Sequence, residues 1–205
     1  MRVRVKICGI TRAADAEAAI SAGADALGFM FVRASPRFIE PSIAGEIIAS
    51  LPPFVATVGV FVDEPSEMVR ETIATAGVQI AQFHGHETDA QCVESGVPFI
   101  KALRVEAAVD GKHIAAKYRH AAAFLLDSTG GSGRTFDWSW WPEICDKPLV
   151  LAGGLHMDNV AEAICRTRPF AVDVSTGVEG PSKRVKDPAK MQRFISEVQR
   201  AGQRI

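Results

Sequence analysis

Residues 3–29, VRVKICGITRAADAEAAISAGADALGF, contain the unit from which the rest of the chain is read. Val3, Val5 and Ile7 alternate with Arg4, Lys6 and Cys8, the period of two of a strand with two unlike faces. Helical spacing follows over Ala13–Ser21, Gly23 supplies a residue suited to end that helix, and a second apolar run starts at Ala24. Strand, helix and strand in that order make a unit whose two strands pair in parallel through a right-handed crossover.

The same rhythm recurs roughly every 25 residues. Strands are expected near Val3–Cys8, Ala24–Phe29, Val55–Phe61, Val78–Gln82, Phe99–Leu103, Ala122–Leu126, Leu149–Leu151 and Ala171–Val174. Helices are expected near Ala13–Ser21, Ser42–Ser50, Ser66–Thr75, Glu87–Glu94, Gly111–Tyr118, Trp138–Cys145, Met157–Thr167 and Pro188–Ala201, one after every strand. Gly77 repeats the part of Gly23 before the fourth strand. Eight such units favour closure into a single (β/α)8 TIM barrel spanning residues 1–205, eight parallel strands inside outer helices, over an open doubly wound sheet. With 205 residues the chain sits near the lower size limit for that fold, which leaves little room for an inserted domain.

Composition narrows the function. The chain carries 23 Lys+Arg against 24 Asp+Glu, a formal charge of −1, with no long run of like sign. That balance speaks against nucleic acid and against a membrane surface as partners. No stretch approaches the 18 or so uninterrupted apolar residues of a membrane span, and Met1–Lys6 alternates charge with valine instead of opening a secretory signal. The four cysteines are widely spaced and form no CxxC pair, so a reducing, cytoplasmic setting is expected and no metal site. Monomer and homodimer remain equally open.

In a barrel of this kind the chemistry sits just past the C-terminal ends of the strands. Cys8 and Lys6 share the inward face of the first strand, where a neighbouring ammonium would favour the thiolate and suit Cys8 to the role of base or nucleophile; an inert buried cysteine is the plain alternative. Asp127 ends the sixth strand beside a glycine-rich stretch and reads as a general acid or as a turn-capping aspartate. Ala152–Leu155 and Asp173–Val178 follow strands seven and eight, where barrels frequently hold phosphate on backbone N–H groups, so a small phosphorylated substrate is expected. Arg37 has the fork geometry to hold a carboxylate. Asp63 and Arg104 also fall just past strand ends. His84 and His86 form an HxH pair without a third ligand, and Trp138, Trp140 and Trp141 are expected to pack the sixth helix against the barrel.

Taken together, the stretches Lys6–Thr11, Gly23–Phe29, Ser35–Arg37, Val58–Val62, Gln82–Gly85, Leu125–Asp127, Gly130–Trp138, Leu151–Leu155 and Val172–Glu179 resemble the phosphoribosylanthranilate isomerase family from end to end. The KICGIT opening combined with the GGSGRTFDW segment is the most specific part of that resemblance. It implies a cofactor-free and metal-free Amadori rearrangement of an aminoaldose phosphate to an aminoketose phosphate. Asp127 is then the acid that opens the furanose ring and Cys8 the base that removes the C2 proton. Arg37, His84, Gly154, Asp173, Ser175 and Gly177 are the substrate-binding positions, with Arg37 on the anthranilate carboxylate and the loops after strands seven and eight on the phosphate. Thr176 departs from the serine common at that place. Two rivals stand beside this reading: a histidine-pathway or dual-specificity sugar-phosphate isomerase, against which Cys8 in place of an aspartate argues, and a non-catalytic phosphate-binding barrel.

Overall fold

The computed structural model describes residues 2–128 and 134–204; the stretch 129–133, which holds most of the glycine-rich segment, lies outside them. In chain order the elements are β1 (Arg4–Cys8), α1 (Ala13–Ala22), β2 (Ala26–Met30), α2 (Pro41–Ala49), β3 (Ala56–Phe61), α3 (Ser66–Ala76), β4 (Ile80–Phe83) and α4 (Asp89–Val93). There follow β5 (Phe99–Arg104), α5 (Gly111–Lys117), β6 (Ala123–Asp127), β7 (Leu149–Leu151), α6 (Val160–Thr167), β8 (Ala171–Val174) and α7 (Pro188–Gly202). The strands run parallel in the order β1 to β8 and close on themselves, so every strand has two neighbours. The barrel expected from the repeat is the one observed.

Two apolar layers hold it together. Outward-facing Leu27, Phe29, Phe124, Leu126, Leu151 and Val172 pack against the buried stripes of the helices, among them Ala16 and Ala19 of α1, Ile164 of α6 and Phe194 of α7. Inward-facing Ala102, Leu125, Val150, Ala152 and Ala171, with Ile100 at their edge, form a separate small plug inside the barrel. Because strand side chains alternate, Phe124 and Leu126 on either side of Leu125 belong to the outer layer. Gly23 and Gly77 end α1 and α3 in the left-handed region, at φ 101° and 70°, as the sequence leads one to expect.

The sixth helix is the exception. Instead of a helix over Trp138–Cys145 the chain makes one 3-10 turn, Trp138–Trp140. Pro142 disfavours a helical conformation at the residue before it, and Trp141 is accordingly extended at ψ 133°. Asp137 caps the turn by accepting from the Ser139 N–H. The three indoles still pack against the outer apolar layer, so they cover the barrel without a helix beneath them.

One ion pair ties β5 to the loop after β4. Lys101, 1% exposed, donates to Glu87 Oε2 at 2.9 Å and to the carbonyls of Phe83 and Gly85. Glu87 in turn accepts the N–H groups of Asp63 and Gly85. Every polar atom of the pair is thereby satisfied in a dry environment, and the loop carrying His84 is pinned from below. Removing one partner strands the other. Lys101→Met is expected to destabilise the protein by about 3–5 kcal/mol, read as a shift of the urea midpoint with an unchanged slope.

Candidate active site

The C-terminal ends of the strands enclose a cavity of about 680 Å³. That volume suits a small ligand. Cys8, Arg37, His84, Asp127, Gly154, Asp173, Ser175 and Gly177 all line it, so the structure brings the eight expected positions to one place. Asp63 and Arg104 do not reach it. Asp63 accepts the N–H of His86 and faces its ring, and Arg104 pairs with Glu106. The HxH pair is split accordingly: His86 turns out to Asp63, whereas His84 turns in to Asp127.

On the β1 side, the register sets Lys6 opposite Asp173 of β8, and their side chains meet inside the barrel at 2.8 Å. Burial by itself would push the Lys6 ammonium down, but Asp173 and Cys8 together outweigh it and hold its pKa above the ordinary value. Cys8 sits one turn of the pleat above Lys6 and is 5% exposed. Burial pushes its thiol up, and the opposing pull of Lys6 does not offset that. The surroundings thus favour the thiol over the expected thiolate: the Lys6 charge is already paired with Asp173, which itself repels a thiolate.

On the β6 side, Asp127 presents its carboxyl to the cavity with His84 Nε2 at 3.3 Å from Oδ2. Close approach of the next strand's loop makes this possible. At Gly153, φ is 86° and a Cβ would fall 2.6 Å from Asp127 Oδ1 and 2.5 Å from the Ser128 nitrogen, so only glycine leaves the carboxyl where it is.

Between these two groups in the strand order lie β7 and β8. Their loops bring Gly154, Ser175 and Gly177 to the rim. At Gly177 a Cβ would stand 2.0 Å from the Leu155 carbonyl oxygen, so the two loops touch backbone to backbone. Arg37 leans over the same loop. Its Nε and Nη2 grip both oxygens of Glu179, and Nη2 also donates to the Thr176 hydroxyl. The Glu179 contact raises the Arg37 pKa further, so the guanidinium is permanently charged. Three of its five N–H groups are engaged, and the two on Nη1 are left for a ligand.

Sequence reasoning missed Glu179 and Lys186 as parts of this assembly. Lys186 is fully buried, donating to Ser175 and to Glu179, and burial lowers its pKa. No motif advertises it, because a lysine on an irregular stretch twelve residues past a strand reads as solvated. Thr176 gains a reason as well, since its hydroxyl receives Arg37.

A closed parallel barrel, a carboxyl on β6 and a thiol on β1 lining one cavity, and the loops after β7 and β8 between them define a TIM-barrel enzyme for a small anionic substrate. The profile of N-(5'-phosphoribosyl)anthranilate isomerases matches residues 5–197. The enzyme of that name from Pseudomonas fluorescens strain Pf0-1 is 52% identical over 204 residues, covering 96% of this chain and 98% of its own. The chain belongs to the phosphoribosylanthranilate isomerase family, and its activity is the isomerisation of N-(5'-phosphoribosyl)anthranilate in tryptophan biosynthesis.

Solved structures agree. The Thermus thermophilus phosphoribosyl anthranilate isomerase superposes with a TM-score of 0.89 at 38% identity, over 96% of this chain and 98% of that one. Two further members, at 38% and 37% identity, superpose with a TM-score of 0.81 over the same shares of both chains. One is a complex with reduced 1-(o-carboxyphenylamino)-1-deoxyribulose 5-phosphate; the other shows monomers generated from the dimeric Thermotoga maritima enzyme.

Two consequences can be measured. In a protein with Cys92, Cys145 and Cys165 replaced, the ultraviolet thiolate absorbance of Cys8 is expected to rise only above the ordinary thiol pKa of about 8.5; a midpoint at or below that value contradicts the account of burial. Gly153→Ala is expected to lower kcat/KM on the order of 10²-fold by displacing Asp127, with the Cys8 titration unmoved.

Proposed function

We propose that Asp127 and Cys8 carry out the isomerisation as general acid and general base. The observation that supports this most directly is their placement: both line one cavity, on β6 and β1, with the two glycine-rich loops of β7 and β8 between them. A phosphate bound at those loops lets the sugar lie across the mouth with one group on each side.

The Asp127 carboxyl gives its proton to the furanose ring oxygen. The C1–O bond breaks as the anilino nitrogen's lone pair moves into the bond to C1, which leaves a protonated Schiff base. The Cys8 thiolate then takes the C2 proton; the C–H pair becomes the C1–C2 double bond, and the C–N π pair returns to nitrogen. The enolamine becomes the ketone when the enol O–H gives up its proton and C1 takes one. Each step is a proton transfer.

The high pKa of the Cys8 thiol suits this order of events. A positive Schiff base next to the sulfur favours the thiolate, so the thiol releases its proton to water at the mouth, and the base is generated, when its substrate has been activated. His84 holds the Asp127 carboxyl in place through the 3.3 Å contact, and Asp173 acts on the site through Lys6. Arg37, with its Nη1 donors available, binds the anthranilate carboxylate. The backbone N–H groups at Gly154, Ser175 and Gly177 bind the phosphate.

A monomer and a homodimer are both compatible with this reading, and the Thermotoga maritima relative is a dimeric enzyme. The four cysteines are free, and Cys165 is exposed, which supports a reducing compartment such as the cytoplasm.

Asp127→Asn is expected to lower kcat by about 10²–10⁴-fold and Cys8→Ser by a similar factor, while each variant still binds the reduced product analogue within a few-fold of the parent. The assay is the loss of anthranilate-type fluorescence on adding freshly prepared substrate. A near-native rate in either variant removes that residue from its role.

A further inference from the structure

Behind the cavity wall, two side chains that do not line it, Glu179 and Lys186, are joined to one that does, Arg37. Glu179 and Lys186 face each other in an antiparallel bridge, and their side chains are 5% and 0% exposed. The Glu179 carboxylate accepts Nε and Nη2 of Arg37 at 2.5 and 3.0 Å, and its Oε1 also accepts Lys186 Nζ at 3.3 Å. The other partners of Lys186 Nζ are the backbone and hydroxyl oxygens of Ser175, at 3.2 and 3.3 Å. Three oxygens about one nitrogen match the three N–H groups of an ammonium, so the geometry is that of the charged lysine. Packing fixes Arg37 as well: a Cβ at Gly9 would stand 2.6 Å from its Cδ.

Arg37 and Glu179 alone would form a closed ion pair without net charge. A carboxylate brought to the Nη1 donors would then gain from the guanidinium and lose to Glu179, which lies on the other edge of the same group. At separations of a few ångströms those two effects are of similar size. Lys186 changes the balance. Two cations around one carboxylate leave a single net positive charge, and Arg37 is the member of the three that lines the cavity. Burial keeps water and salt from screening the effect.

We propose that Lys186 is a positioning residue for the ligand carboxylate: by engaging Glu179 from behind, it leaves Arg37 a positive charge to offer and so sets the preference of the site for a carboxylated aromatic amine. The inference rests on the reading that Arg37 binds the anthranilate carboxylate. Lys186 itself touches no ligand, since its three donors are engaged and its side chain has no exposure. The same ammonium holds Ser175, so its loss is also felt at the phosphate loop, equally for any phosphate ligand whatever its ring carries.

Calorimetric titration with two ligands separates these effects: reduced 1-(o-carboxyphenylamino)-1-deoxyribulose 5-phosphate and the same compound with hydrogen in place of the carboxylate. The parent protein is expected to bind the first more tightly by about 10–100-fold, the range for hydrogen bonds to a charged group. In Lys186→Met that ratio falls about tenfold. In Lys186→Met combined with Glu179→Gln it returns to within about threefold of the parent's, because Arg37 again carries an unopposed charge. Lys186→Gln, which keeps donors for Glu179 and Ser175 without the charge, gives the same low ratio and decides the matter if the methionine variant does not fold. A ratio in the single variants within about threefold of the parent's overturns the inference even where both ligands bind less tightly, the mark of a merely structural lysine. So does a ratio that stays low in the double variant. Arg37→Met keeps the two ideas apart. A parent without the preference, or an Arg37→Met protein that retains it, sinks the reading of Arg37; a preference lost in Arg37→Met and kept in Lys186→Met sinks the role of Lys186 alone.

Discussion

The register of β1 against β8 is the constraint on which the rest of the mouth depends. It sets Lys6 beside Asp173 and, two residues on, delivers Cys8 to the cavity floor. A slip of one residue would turn Lys6 and Cys8 out into the apolar layer and bring Val5 and Ile7 inside. Such a slip would bury an ammonium among Phe and Val side chains without its carboxylate, a cost of several kcal/mol. The ion pair thus selects the register even where its net contribution to stability is small, and the placing of Cys8 in the cavity follows from the register.

Buried charge is distributed through the barrel by one rule: each ammonium is held by a carboxylate, and Lys101 and Lys186 also by backbone or hydroxyl oxygens. Lys101 with Glu87 braces the loop of His84, and Lys186 with Glu179 braces the loop of Ser175 and presents Arg37. These pairs stand behind the residues that meet substrate rather than among them. Their desolvated, fully bonded geometry makes the walls stiff, so the carboxyl on β6 and the thiol on β1 keep their separation. Cys8 differs in that burial outweighs the pull of Lys6 and Lys186, while Asp173 opposes a second negative charge beside it, so its pKa is raised.

Much of this was legible in the sequence, and for physical reasons. Short apolar runs alternating with helical spacing report a parallel sheet whatever the details of packing, and glycines such as Gly23 mark where helices must turn back. Site positions could be named because strand ends are recognisable and barrels place chemistry there. Three things were out of reach. The sixth helix was inferred from rhythm, and Pro142 overrode the rhythm locally. The protonation of Cys8 depends on a balance between burial, Lys6 and Asp173, and Asp173 is 167 residues distant in the chain from Lys6. Glu179 and Lys186 act through Arg37 and Ser175, which the fold brings to them, so no local pattern distinguishes them from surface polar residues.

The missing helix after β6 has one more consequence. The chain has three tryptophans, and all of them, Trp138, Trp140 and Trp141, lie on the segment that replaces that helix. Indole emission from this protein therefore comes from a single place, a few residues beyond the loop that follows Asp127. An aminobenzoate chromophore entering the mouth can accept energy from those indoles. The fold thus carries its own donor for observing the arrival of ligand and the motion of that one segment, with no label attached and no signal from the rest of the barrel.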